Sequence, residues 1–576
     1  MSQAEKGTRS DESRWGITGG EHEDKESGVP FDQTPTQESP RVGVKPWAWD
    51  RAVLIAGLLI HLVLFVSVFR QPLDVNDHPD RRAITWSLYH NSIHRIGPGA
   101  DFFAVYHAGI AARQGRNPYA QDESPTVTPY FYPYRYLPLM GPTFGRWLTI
   151  VAPLASYRLW LVFCEVVLGL LLWVFWRQWT KLPRVRLGRA VTSAALLLST
   201  PYFLELHMGQ FTFVMGAFCA LAFIWTEPAL RRVVGRDAAT DTPRSGPGSA
   251  NRARQAMAGL LFFAASLLKI LPLVMLPALL RRRVLLIAGG LAGLVAVATA
   301  YPYFSHHPDQ WHTFKELNFG SPIPTMAGGN YSLLFLNLLS GMAIGSVPTV
   351  EQFDRMAFLF RIILMTATVV LVLASRNRSV ELKASALFLG HFVTYGHIWE
   401  HHLSALVVIG CLMLLHLTPH DDGPFPLRDP IEDSPSELGE VASTGPETSH
   451  RQRRPWAGAL TLTALALLVL PTPWPLFDTA KDPSVFDPSR GWSVWTNIGI
   501  TASKVIPVVL LYAVACVSLL RRSSDHPPVF GTGAAPPGGA PAEGAATGAA
   551  PAENAAAGTT ATGAPASASG EPPLTT

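Results

Sequence analysis

The chain has 576 residues, 48% of them hydrophobic and only 15% charged, with a formal net charge of +4 and a mean hydropathy of +0.20. That balance excludes an ordinary soluble enzyme unless the apolar residues are concentrated. It also gives no nucleic-acid footprint, because the basic residues lie in short clusters between apolar runs. Runs of roughly 15 to 22 apolar residues recur from Ala52 to Leu520, about the length that crosses a hydrocarbon core, so the class is an all-α polytopic membrane protein.

Residues 1–50 mix Glu, Asp, Lys, Gly, Pro and Ser without an apolar run and are expected to be a disordered cytoplasmic segment. With no cleavable signal ahead of it, Ala52 to Phe69 is both the first crossing and the targeting signal. Residues 70–135 follow as a large extracytoplasmic loop. Later crossings are fixed by the positive-inside rule: basic clusters at Arg177 to Arg189, Arg231 to Arg254, Arg281 to Arg283, Arg376 to Lys383, Arg451 to Arg454 and Arg521 to Arg522 must be separated by even numbers of spans. The assignment that satisfies this is Tyr157 to Trp176, Ala190 to Leu204, Phe211 to Trp225, Met257 to Leu268, Leu271 to Leu280, Leu285 to Tyr301, Ala357 to Ala374, Ala384 to Tyr395, Leu403 to Leu417, Trp456 to Leu470 and Ala502 to Leu520. With the first span that predicts about twelve transmembrane helices with both termini cytoplasmic.

Two apolar pieces are left over, Tyr136 to Val151 and Tyr331 to Ile344, and are expected to be re-entrant or interfacial helices. The pair Met257 to Leu268 and Leu271 to Leu280 is too short to cross fully and should turn at Lys269 and Pro272. Residues 51–417 thus form the main membrane domain, 418–455 a flexible cytoplasmic linker, 456–522 the C-terminal helices, and 523–576 a disordered Ala, Gly and Pro-rich tail. The four cysteines, Cys164, Cys219, Cys411 and Cys516, fall inside apolar spans, with no metal-ligand spacing; neither a metal nor a cofactor is expected.

This topology sorts the unusual polar residues by side. Asp101, His207, Gln210, Lys269, His306, His307, Lys315, Asn330, Glu400, His401 and His402 all fall at or just below the outer face, where ionisable groups at membrane depth usually serve a functional site. Asp101 follows Gly97-Pro98-Gly99 and opens Phe102 to Arg113, so it is either a helix N-cap or a reactive carboxylate, roles that are not exclusive. Lys269, in SLLKILPL, either snorkels or binds a lipid phosphate at headgroup depth. His401 and His402 point in different directions on a helix and lack an i, i+4 partner; the readings are a structural helix entry, a phosphate or sugar contact, or a metal ligand.

The stretches DFFAVYHAGIAARQGRNPY, YPYRYLPLMGP, GQFTFVMGAF, LLKILPLVMLPALLRRR, GGNYSLLFLNLL and WEHHLSALVV, over roughly residues 50 to 420, resemble glycosyltransferase family 87, the polyprenol-phosphate-mannose-dependent α-1,2-mannosyltransferase group of the GT-C superfamily. The usual proline pair of the YPP element is replaced here by Tyr132-Pro133-Tyr134 and Tyr136-Leu137-Pro138. The resemblance implies a GT-C-type bundle, a polyprenyl-phosphate sugar donor carrying a hexose such as mannose, a lipid or glycan acceptor, and an extracytoplasmic active site in a bacterial cell membrane. It implies that Asp101 is the catalytic base; a departing phosphate needs fixed positive groups, a role assigned to Lys269 with His401 or His402. Tyr106, Gln210, Asn330 and Glu400 are the candidates for sugar or acceptor contacts.

Two other classes compete. A transporter or flippase for a lipid-linked sugar would also be polytopic with intramembrane charges, but predicts paired repeats that the two halves do not display. A polymerase or ligase that transfers preassembled glycans would not explain an acid placed directly after the first span.

Overall fold

The apolar runs become helices whose ends are set by the residues that flank them. In the computed structural model the described residues are 49–74, 79–85, 97–120, 128, 133–180, 182, 185–226, 249–321, 329–377, 379–417, 456–473 and 492–520. The expected N-terminal segment up to residue 48, the linker 418–455, the tail, and much of the loop 70–135 lie outside them. Among the described residues the architecture is helical, with one isolated bridge between Asn330 and Trp399 in place of any strand.

The helices, in chain order, are α1 (Trp49–Phe69), α2 (Ala100–Arg113), α3 (Pro153–Trp179), α4 (Val185–Leu197), α5 (Thr200–Met208), α6 (Thr212–Thr226), α7 (Ser249–Leu268), α8 (Arg283–His306), α9 (Pro308–Phe319), α10 (Leu333–Ala343), α11 (Val350–Ala374), α12 (Val380–Thr394), α13 (Leu403–Leu417), α14 (Trp456–Val469) and α15 (Val494–Leu520). Hydroxyl caps open several of them: Ser199 accepts from the Tyr202 N–H, Ser332 from Phe335 and Ser379 from Leu382, while Thr349 and Gln352 close a reciprocal capping box.

Three expectations are corrected. The expected span Ala190 to Leu204 is two helices, α4 and α5, parted where Ser199 caps and Pro201 withholds its N–H. Tyr136 to Val151 is no single helix: Pro138–Met140 is a 3-10 turn, Gly141–Gly145 a π turn and Arg146–Leu148 one α turn. This chain of turns lies against α2, so close that a Cβ on Gly109 would fall 2.2 Å from the Gly145 carbonyl carbon. The hairpin around Lys269 has unequal arms, the 20-residue α7 and an 11-residue 3-10 helix, Leu271–Arg281, whose Pro272 and Pro277 cannot supply α-helical donors.

Six helical segments among the described residues are long and apolar enough to cross a membrane: Trp49–Phe69, Pro153–Trp179, Arg283–His306, Val350–Ala374, Glu400–Leu417 and Val494–Leu520. Four shorter apolar helices, including α6 and α14, accompany them. Against the expected count of about twelve, the described residues hold these six crossing-length segments and four shorter apolar helices. Burial sorts them. Every residue of α13 is buried, and α6 and α12 are nearly so, while the most apolar windows of α1 and α11 bury only 17% and 11% of their residues. A polar-poor surface of that kind suits lipid, so α6, α12 and α13 form the centre of the bundle, with α1, α8 and α11 around it.

Candidate active site

Asp101 enters the site because α2 begins one residue before it. The N-cap is Gly99 in the left-handed conformation (φ 73°), without a side-chain cap bond, so Asp101 does not take the N-cap role that its spacing allowed. It lies in the first turn instead, and its side chain is buried. The turn is pinned from α5: the Gly99 N–H donates to the His207 carbonyl at 2.6 Å, and the Tyr157 hydroxyl donates to the Leu206 and His207 carbonyls at 2.7 and 3.1 Å. α5 ends at Gly209, also left-handed (φ 64°), where a Cβ would meet the Phe102 Cβ at 2.5 Å. The turn after α5 is thus packed directly on the start of α2.

That packing brings Gln210 to Asp101. The Gln210 Oε1 accepts from the Phe211 N–H at 3.3 Å and the Tyr136 hydroxyl at 3.4 Å, which turns the amide nitrogen to donate to the Asp101 carboxylate. Burial pushes the Asp101 carboxyl up to about 6, against the opposing pull of the Lys269 ammonium, the Gln210 hydrogen bond and the Arg135 guanidinium. Among the described residues nothing donates to its second oxygen, Oδ2. A carboxylate with one oxygen held, the other unoccupied by protein donors and a proton affinity near neutrality is suited to taking a proton from a hydroxyl.

Lys269, at the break between α7 and the 3-10 arm, donates to the Thr212 hydroxyl at 2.7 Å and lies within the fields of Asp101 and Glu205. Its charge also reaches His401 and His402, whose rings sit edge to face with centroids 4.3 Å apart. His402 is half-buried, as are Lys269, Arg135 and Tyr136, so the polar cluster opens on that side while Asp101 lies deeper. Asp101, Gln210, Lys269, His401 and His402 are therefore brought together.

Six of the sequence candidates sit otherwise. The Asn330 amide donates to the Gly396 carbonyl at 2.8 Å, and its oxygen accepts from the Ser332 N–H at 2.9 Å, bracing the loop that leads into Trp399. Glu400 forms a buried ion pair with Lys504 of α15 at 3.5 Å. The Tyr106 ring packs on Phe102 and Phe103, and its hydroxyl donates to the Val151 carbonyl at 2.9 Å. Lys315, with His306 and His307, belongs to the exposed stretch where α8 meets α9. Among the described residues no group of three or more His, Cys, Asp or Glu side chains is gathered to hold a metal ion.

Three neighbours went unread in the sequence. Arg135 stands inside YPYRYLP, a stretch whose prolines drew attention, Thr212 is a hydroxyl in an apolar run, and Glu205 falls one residue past an expected span. An acid bordering such a run was the available signal.

The family model of glycosyltransferase family 87 matches residues 130–395. No curated protein and no solved structure matches the chain. The matched stretch carries Arg135, Glu205, Gln210, Thr212, Lys269 and Asn330, while Asp101 precedes it and Glu400 to His402 follow it. Residues 130–395 are thus similar to glycosyltransferase family 87, within a chain that carries crossing-length apolar helices.

Proposed function

We propose that the protein is an inverting glycosyltransferase that moves a hexose, mannose in the first instance, from a polyprenyl-phosphate donor to a hydroxyl of a lipid or glycan acceptor. It acts at the extracytoplasmic face of a bacterial cell membrane, with both termini cytoplasmic. The observation that carries this reading is the buried Asp101 carboxylate, with one oxygen open, lying in the field of Lys269, whose charge also reaches the paired histidines.

In the reaction, the ionised Asp101 accepts the proton of the acceptor hydroxyl while that oxygen attacks the anomeric carbon. The bond from that carbon to the phosphate oxygen breaks, and polyprenyl phosphate departs with the electron pair. A phosphate needs no general acid but does need fixed positive charge, a role for Lys269 with His401 and His402. Gln210 orients the base. Asn330, Glu400 and Tyr106, engaged by protein partners, shape the walls against which sugar and acceptor lie.

Membranes carrying the wild-type or Asp101→Ala protein, given radiolabelled polyprenyl-phosphate mannose and a lipid extract as acceptor, test the reading. Transfer should fall by about 100-fold or more in the variant. Label transfer unaffected by the substitution sinks the assignment, and uptake into vesicles without a glycosidic product favours a transporter. A Lys269→Cys protein labelled only from the cytoplasmic side overturns the outward-facing placement.

A further inference from the structure

Glu205 is another buried carboxylate beside Lys269, and the chemistry above leaves it unused. Its Oε1 accepts from the Phe213 N–H at 2.8 Å, its Oε2 accepts from the Ser404 hydroxyl at 2.9 Å, and the Thr212 N–H also points to it. One carboxylate of α5 thus caps the first turn of α6 and ties in α13 where that helix begins, just after His401 and His402. The residue it holds in place, Thr212, is the one whose hydroxyl accepts from the Lys269 ammonium. Around Glu205 the other titratable groups are Tyr202 and Cys164, both neutral in their ordinary forms, so Lys269 is the cation it faces. Around Asp101 they are Lys269 and Arg135.

We propose that Glu205 is a positioning residue that shares the Lys269 ammonium with Asp101, and by doing so keeps Asp101 basic enough to take a proton until a phosphate draws the ammonium away. The inference rests on the reading of Asp101 as the base. Two acids lie in the field of one cation. If Glu205 loses its charge, the ammonium turns wholly to Asp101 and favours its ionised form, so Asp101 holds a proton less readily.

The test is a pH titration of the Asp101 carboxyl stretch by infrared difference spectroscopy on the purified full-length protein, the band being assigned by its loss in Asp101→Asn. Glu205→Gln keeps an oxygen for the Phe213 N–H and offers its amide to the Ser404 hydroxyl, so the cap persists while the charge goes. Its midpoint should fall by roughly half a unit to one unit below that of the wild type. Ser404→Ala, which removes a structural bond and no charge, should leave the midpoint in place. Should Glu205→Gln fail to fold, Thr212→Val removes the oxygen that draws the ammonium from the acids and should lower the midpoint likewise. Equal midpoints in wild type and these two charge-sharing variants overturn the proposal, as does an equal shift in Ser404→Ala or the absence of any Asp101 band titrating between about pH 4 and 9. The transfer assay separates the two claims. A shifted midpoint without glycosyl transfer leaves the charge sharing standing and removes the function, and Asp101-dependent transfer with unshifted midpoints does the reverse.

Discussion

At the residue scale, the position of the Asp101 titration sets the pH dependence. In the proposed reaction Asp101 must be ionised, and burial has brought its carboxyl up to about 6, so kcat/KM should rise with pH through about 6 and level off above it. Lys269 pulls the carboxyl down. Lys269→Met should therefore move the same limb to higher pH, by roughly one unit, besides raising KM for the lipid donor. Rate profiles of wild type and variant, taken with the same labelled donor, check both signs, and a limb that stays in place would separate the lysine from the base. Asp101, Gln210, Lys269 and the histidine pair were legible in the sequence because polar groups bordering apolar runs are costly and stand out. Arg135 and Glu205 were not: Arg135 lies among tyrosines in a loop whose path no periodicity reveals, and Glu205 has the pattern of a polar residue ending a span.

At the element scale, the site depends on a turn rather than on a helix. Gly209 closes α5 with a positive φ and lies under Phe102, so Gly209→Ala should cost about 1 to 2 kcal/mol in backbone strain, with a further penalty for the contact at 2.5 Å. Because the displaced atoms belong to the start of α2, kcat should fall more than the unfolding temperature would suggest; thermal unfolding in detergent and the transfer assay on one preparation compare the two. The turn could be read from HMGQ, but its partner could not, since Gly99 and Gly209 are 110 positions apart and only the fold joins them. For the same reason the break at Ser199 and Pro201 was passed over: hydropathy continues straight through it, while the hydrogen-bond ladder does not.

At the scale of the whole molecule, the C-terminal helices beyond the family 87 region are fastened to the site by one charge. Lys504 of α15 pairs with Glu400 and donates to the carbonyls of Leu467, Leu468 and Leu470, which end α14, so a single ammonium joins α14, α15 and the entrance of α13. Lys504→Met would strand a buried carboxylate and should destabilise the protein by about 3 to 5 kcal/mol, whereas Glu400→Gln combined with it should restore most of the loss. Unfolding of both variants in mild detergent decides this. Fold class was plain from composition, since lipid-length runs admit few alternatives. The number of crossings was not. α12 carries Glu381 and Lys383 because it is buried among other helices, so its apolar pattern marks a span only from Ala384 onward and leaves the first turn of the helix unread.

The order in which these partners leave the ribosome adds a constraint on biogenesis. Asp101 is made 168 residues before Lys269 (269 − 101) and 300 before His401 (401 − 101). At roughly 5 to 20 residues per second, the acid waits about 10 to 30 s for its cation and longer for the histidines. During that interval α2 can gain its aromatic packing and the Arg135 charge, made 34 residues later (135 − 101), but not the Lys269 ammonium. The residues of the site are then complete only when His401 and His402 have been made, with α13, α14 and α15 still to follow.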